Sequence, residues 1–86
     1  MDPNATWKEL LEAYESGNIA RQVEFAAYLF AWIMRGGFPP VVANGTNIMI
    51  PNGSPQNGAY RIVRDDKGLY FSTTHNGQQT SFRAFA

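Results

Sequence analysis

Gln22-Val23-Glu24-Phe25-Ala26-Ala27-Tyr28-Leu29-Phe30-Ala31-Trp32-Ile33-Met34-Arg35 is the stretch whose reading decides the fold. Phe25 to Met34 carries no charge. The run is too short for a membrane span, which needs about 20 apolar residues. It holds more Ala, Leu and Met than β-branched residues, which favours a helix over a buried strand. At 100° per residue Ile19, Val23, Ala26, Phe30 and Ile33 share a stripe, flanked by Ala27, Leu29 and Met34. Arg21, Glu24, Tyr28 and Arg35 form the polar strip, and Phe25 and Trp32 fall on one shoulder. A helix apolar on more than one side needs more than one cover.

Upstream, Thr6 and Glu9 have the spacing of a capping box. Asp2-Pro3 offers an earlier start, with Asp2 as cap and Pro3 at the first helical position. Trp7, Leu10, Leu11 and Tyr14 recur at helical spacing, with Lys8, Glu9, Glu12 and Glu15 opposite. Ser16-Gly17 stops this helix and Asn18 caps the next, so the connection is very short and the pair runs antiparallel.

Downstream, Gly36-Gly37 ends the second helix and Phe38-Pro39-Pro40 prevents its continuation. The apolar period then changes from helical to alternating. Val41–Ala43 and Thr46–Ile50 flank Asn44-Gly45, a hairpin signal. Pro51 to Gly58 reads as an exposed, mobile loop. Ala59–Arg64, Leu69–Thr74 and Gln78–Phe85 alternate apolar with polar residues and are separated by turn sequences, which predicts a three-stranded meander. Tyr60, Ile62, Leu69, Phe71, Phe82 and Ala84 are expected inward. Arg61, Val63, Tyr70, Ser72, Ser81, Arg83 and Phe85 are expected outward.

The expected fold class is α+β: an antiparallel two-helix hairpin packed on an antiparallel sheet, in the order α-α-β-β-β-β-β. Eighty-six residues leave room for one core, so residues 1–86 are expected as a single domain. Its parts are the helical hairpin 1–37, the short β-hairpin and mobile loop 38–58, and the meander 59–86. Whether residues 41–50 join the meander is open at this level.

The composition, 44% hydrophobic and 14% aromatic, excludes wholesale disorder. There is no cysteine, hence neither a disulfide framework nor a thiolate metal site. Met1-Asp2-Pro3-Asn4 is polar and acidic where a signal peptide is basic, so a cytoplasmic, non-membrane protein is expected. The net charge of zero divides unevenly. Residues 1–34 carry Asp2, Glu9, Glu12, Glu15 and Glu24 against Lys8 and Arg21. Residues 35–86 carry Arg35, Arg61, Arg64, Lys67 and Arg83 against Asp65 and Asp66.

Catalytic chemistry finds little support. His75 is the single histidine and precedes Asn76-Gly77, where an exposed turn residue is expected. One histidine without cysteine does not build the usual N/S metal site. Asp65-Asp66 before Lys67-Gly68 reads as a hairpin turn, and no phosphate-loop glycine pattern occurs. The Asn-x-Ser/Thr triplets at Asn4, Asn44 and Asn52 require secretion to matter. No catalytic, cofactor-binding or metal residue is therefore assigned, and a non-enzyme without cofactor is expected.

Two surfaces have binding chemistry. Phe25, Trp32 and Phe38 are aromatic surplus suited to a protein partner or self-association. Arg61, Tyr70 and Arg83 alternate onto one sheet face, a combination suited to phosphates and unpaired bases. The first is preferred, because the positive charges are few and Asp65-Asp66 stands at the sheet edge. Nucleic acid is the alternative partner.

The opening Met1-Asp2-Pro3-Asn4-Ala5-Thr6, with Leu10, Ala13 and the ending Trp32-Ile33-Met34-Arg35-Gly36-Gly37-Phe38-Pro39-Pro40, resembles a group of short uncharacterised bacterial and phage proteins. The resemblance covers roughly the first 40 residues and none of the β portion. It implies a small accessory, non-secreted protein and carries no activity or site residue.

Overall fold

Asp2, not Thr6, caps the first helix. In the computed structural model, the backbone of residues 2–51, 59–75 and 78–84 is described, with every side chain among them except His75, Gln78, Phe82 and Ala84. Helix α1 spans Pro3–Ser16. The Asp2 carboxylate accepts the Asn4 and Ala5 backbone N–H groups at 3.0 and 3.4 Å, and Pro3 takes the first helical position. Thr6 already donates its N–H to the Asp2 carbonyl (3.1 Å), so it lies inside the first turn. The capping box fails because Pro3 presets helical φ three residues earlier, where its missing N–H costs nothing.

Helix α2 spans Ile19–Met34 and begins almost where α1 ends. Gly17 adopts a left-handed φ of 75°, and its N–H and that of Asn18 return to Tyr14 and Ala13 (3.3 and 2.9 Å). This is the Schellman closure of a helix. The Asn18 side chain accepts from Arg21 N–H (3.2 Å), so one residue closes α1 and caps α2.

The buried seam of the hairpin is rotated from the expected one. In α1 it is Pro3, Trp7, Leu10 and Ala13; Tyr14 is exposed. In α2 it is Gln22, Phe25, Ala26, Leu29 and Ile33, while Ile19 and Met34 are exposed. Gln22 supplies a reason. Its amide Nε2 donates to the Ala13 carbonyl (3.0 Å) and the residue is 2% exposed. This bond turns the 22/25/29 side of α2 toward α1. Phe25, expected on an exposed shoulder, is therefore a core residue at 7% exposure.

Residues Met1–Pro40 form one compact unit and Val41–Ala86 the other. The second is a four-stranded antiparallel sheet in chain order: β1 Asn47–Pro51, β2 Ala59–Asp65, β3 Gly68–His75 and β4 Gln78–Ala84. The chain is thus α+β, with four strands rather than five among the described residues. Val41–Ala43 forms no strand, because its expected partner is taken. A two-residue hairpin would return the Thr46 carbonyl to Ala43; instead that carbonyl accepts Arg64 N–H (2.8 Å). Gly45 N–H likewise donates to the Arg64 carbonyl (2.9 Å). Asn44-Gly45 still makes a turn, closed by Thr46 N–H to the Ala43 carbonyl, but it leads the chain onto β2. Residues 47–51 thereby join the meander. Residues 52–58 of the expected loop, Asn76-Gly77 and Phe85 lie outside the described residues.

Register follows the alternation. Ile48, Ile62, Phe71 and Phe82 occupy one row, and Ile48, Ile50, Ile62, Leu69 and Phe71 are buried on that face. The other face carries Met49, Arg61, Val63, Tyr70, Ser72, Ser81 and Arg83. The β2–β3 turn is held by Asp65, whose carboxylate accepts Lys67 N–H (2.9 Å). Asp66 accepts from the Asn44 amide (3.1 Å). Both acids are turn residues here.

Two substitutions test this account by urea unfolding. Asp2→Ala lowers stability by about 1 kcal/mol, and Thr6→Ala by less than half of that; the reverse order would restore the capping box. Phe25→Ala costs about 3–5 kcal/mol, as for a core aromatic; a loss below about 1 kcal/mol returns Phe25 to the surface.

Candidate functional site

Two groups of side chains outside the core are held in defined geometry, one in each unit. The first is built at the end of α2. Gly36 (φ 89°) and Gly37 close the helix, their N–H groups returning to Ile33 and Trp32 (both 3.0 Å). The chain then doubles back over the last turn. Trp32 Nε1 donates to the Phe38 carbonyl (2.8 Å), and the two rings meet edge to face at 5.8 Å and 84°. Gly37 passes so close to Trp32 that a Cβ built on it would run into the indole. No side chain fits there without displacing Trp32. Trp32 is half-buried by this arrangement, whereas Phe38 remains 61% exposed.

Of the three aromatic residues expected to form a partner surface, the structure brings Trp32 and Phe38 together and assigns Phe25 elsewhere. The Phe25 ring sits under the Arg21 guanidinium (5.4 Å to the centroid) and meets Tyr28 edge to face at 6.3 Å. It lines the floor of a cleft of about 370 Å³ between α1 and α2, with Glu9, Glu12, Ser16 and Arg21 around it.

The second group lies on the outer sheet face. Pairing of Val63 with Tyr70 and of Tyr70 with Arg83 puts those three in one row, and Arg61 pairs with Ser72 in the next. The Arg83 guanidinium lies 5.4 Å from the centre of the Tyr70 ring and forms an ion pair with Asp65 (3.2 Å). Both partners are partly exposed, so the pair contributes little to stability and acts as a positioning device. Gln79 Nε2 donates to the Tyr70 hydroxyl oxygen (3.1 Å). Together Arg61, Val63, Asp65, Tyr70, Gln79 and Arg83 line an open depression of about 260 Å³. Ser72, beside Arg61, is only 4% exposed although it belongs to the outer face.

This group has its own electrostatics. Hydrogen bonding from the Ser81 hydroxyl is the largest effect on Tyr70; desolvation opposes it. Ser72 and the charges of Arg83 and Arg61 add to the lowering, so the phenol ionises below the ordinary tyrosine value. Tyr60, on the opposite face, is pushed above that value by burial. The surroundings of Tyr70 favour negative charge.

The alternation of Arg61, Tyr70 and Arg83 in the sequence was enough to place them on one face. Gln79 and Asp65, which fix Tyr70 and Arg83, escape such reading, because their bonds span 9 and 18 residues. The side chain of His75 lies outside the described residues. Among the described residues no group of three metal-ligating side chains comes together, and no helix is long and apolar enough to cross a membrane.

No protein-family model matches the chain, nor does any of the curated proteins or solved structures compared with it.

Phenolate absorbance against pH tests the electrostatics. Tyr70→Phe removes the phenol whose ionisation its surroundings favour, so the curve moves to higher pH; if the curve is unchanged, the lowering belongs elsewhere. Because Tyr70 binds its proton less tightly when folded, its contribution to stability grows as pH rises from its lowered pKa to about 10. Tyr60 has the opposite sign: its contribution is full below about 10 and is lost as pH rises through its raised folded value.

Proposed function

We propose that this chain is a small, non-catalytic binding module that acts through a protein partner or through self-association. Trp32 and Phe38 form its anchor. The supporting observation is the state of Phe38: a large apolar ring, mostly exposed, yet fixed on both its backbone and its ring by Trp32. An exposed aromatic that already holds one conformation loses little side-chain entropy on docking. Aromatic residues of this kind are the usual energetic centres of interfaces. Met34, one turn back on the same helix end, and Tyr28 add exposed apolar surface to this unit.

Sedimentation velocity over a wide concentration range tests the self-association arm. Wild-type protein associates as concentration rises. Phe38→Ala weakens the association by about 2 kcal/mol, roughly 30-fold in Kd, while leaving the thermal midpoint nearly unchanged. Gly37→Ala, which evicts the indole, weakens it with Phe38 still present. A strict monomer at all concentrations removes self-association and leaves the partner arm. If neither substitution weakens association or partner binding, the anchor is wrong.

A further inference from the structure

Independently of the Phe38 anchor, we propose that the outer sheet face binds single-stranded nucleic acid, with a phosphate on Arg61 and a base on the exposed side of the Arg83 guanidinium. The two arginines of this face divide the labour. Arg83 is held twice, by the Asp65 carboxylate at 3.2 Å and by the Tyr70 ring at 5.4 Å. Its guanidinium is thereby laid over the Tyr70 ring, with its side chain still 36% exposed. A guanidinium fixed on an aromatic ring is a stacking platform, since unpaired bases stack on guanidinium planes as they do on aromatic faces.

Arg61 is different. It is exposed, lines the same depression, and makes no ion pair among the described residues. The nearby acid of the depression is Asp65, and its carboxylate already accepts from Arg83 and from Lys67 N–H. The charge left over on this face is therefore that of Arg61. An ionised phosphate is its natural complement. The Tyr70 hydroxyl points the same way. Its oxygen accepts from Gln79, which holds the hydroxyl at the rim of the depression. Thr74, Gln79 and Ser81 continue the face as hydroxyl and amide groups, which suit sugar and phosphate oxygens without reading sequence.

The shape selects a strand over a small free ligand. The depression is about 260 Å³ and open to solvent, without the enclosing walls that retain a small molecule. An open, weakly basic sheet face instead gains affinity from several adjacent contacts along an extended chain.

The test is fluorescence anisotropy with a short labelled oligothymidylate at low and high salt, paired with amide NMR shifts. Wild type binds at low salt, with shifts centred on Arg61, Tyr70 and Arg83. Arg61→Ala weakens binding about tenfold and flattens the salt dependence by about 0.7 in log–log slope, one phosphate contact. Arg61→Gln, which keeps a polar side chain, shows the same loss, and Arg35→Ala shows none. Tyr70→Phe keeps the ring under Arg83 and reduces affinity by a smaller factor. Absence of binding at low salt overturns the proposal, as does wild-type affinity in both Arg61 variants. Displacement of the strand by inorganic phosphate at equal concentration also overturns it, since the site then holds a bare anion. A duplex that binds as tightly as the strand removes the stacked base and overturns it too.

Discussion

The carbonyl oxygen of Ala13 is the point on which the helical half depends. It accepts the N–H of Asn18, the amide of Gln22 and the hydroxyl of Ser16, at 2.9, 3.0 and 3.2 Å. The first bond ends α1. The second holds α2 in the rotation that buries Phe25, Ala26, Leu29 and Ile33 beside Gln22 and leaves Ile19 and Met34 outside. An amide buried to this degree is costly without a partner, so the alternative rotation is disfavoured by polar chemistry as well as by packing.

What the sequence discloses and what it hides follow from this. Signals that act within a few residues were legible: Gly17 and Asn18 between the helices, Gly36-Gly37 at the end, the Asp65–Gly68 turn, and the alternation that placed Arg61, Tyr70 and Arg83 on one face. Signals that need a distant partner were not. Asn44-Gly45 has hairpin chemistry, yet the backbone groups that decide its pairing belong to Arg64. The apolar stripe of α2 was drawn from hydrophobicity alone: Ala26, Leu29 and Ile33 are buried as drawn, but Gln22 and Phe25 join them and Ile19 and Met34 are exposed. Thr6 and Asp2 both fit the start of α1; the proline beside Asp2 decided between them.

The candidate site divides the same way. The sheet face could be read from parity, but its order comes from Asp65 and Gln79, each acting across a strand pair. Trp32 and Phe38 were recognisable as surplus aromatics. That they form one unit depends on the absent side chain of Gly37, whose role emerges only when the chain has folded back on the helix.

The main pairings join neighbours in sequence: α1 with α2, β1 with β2, β2 with β3, β3 with β4. Among the described residues no strand crosses over another, and none pairs with a partner from the far end of the chain. Contacts of this kind close small loops, so little chain entropy is spent before each is rewarded, and such topologies fold fast for their size. The order also suits synthesis from the N-terminus. The helical hairpin is complete in sequence before the first strand is made, and each later strand emerges beside the edge on which it is to pair. The growing sheet therefore offers its newest edge to the next segment of its own chain, which limits the time that edge is open to another molecule.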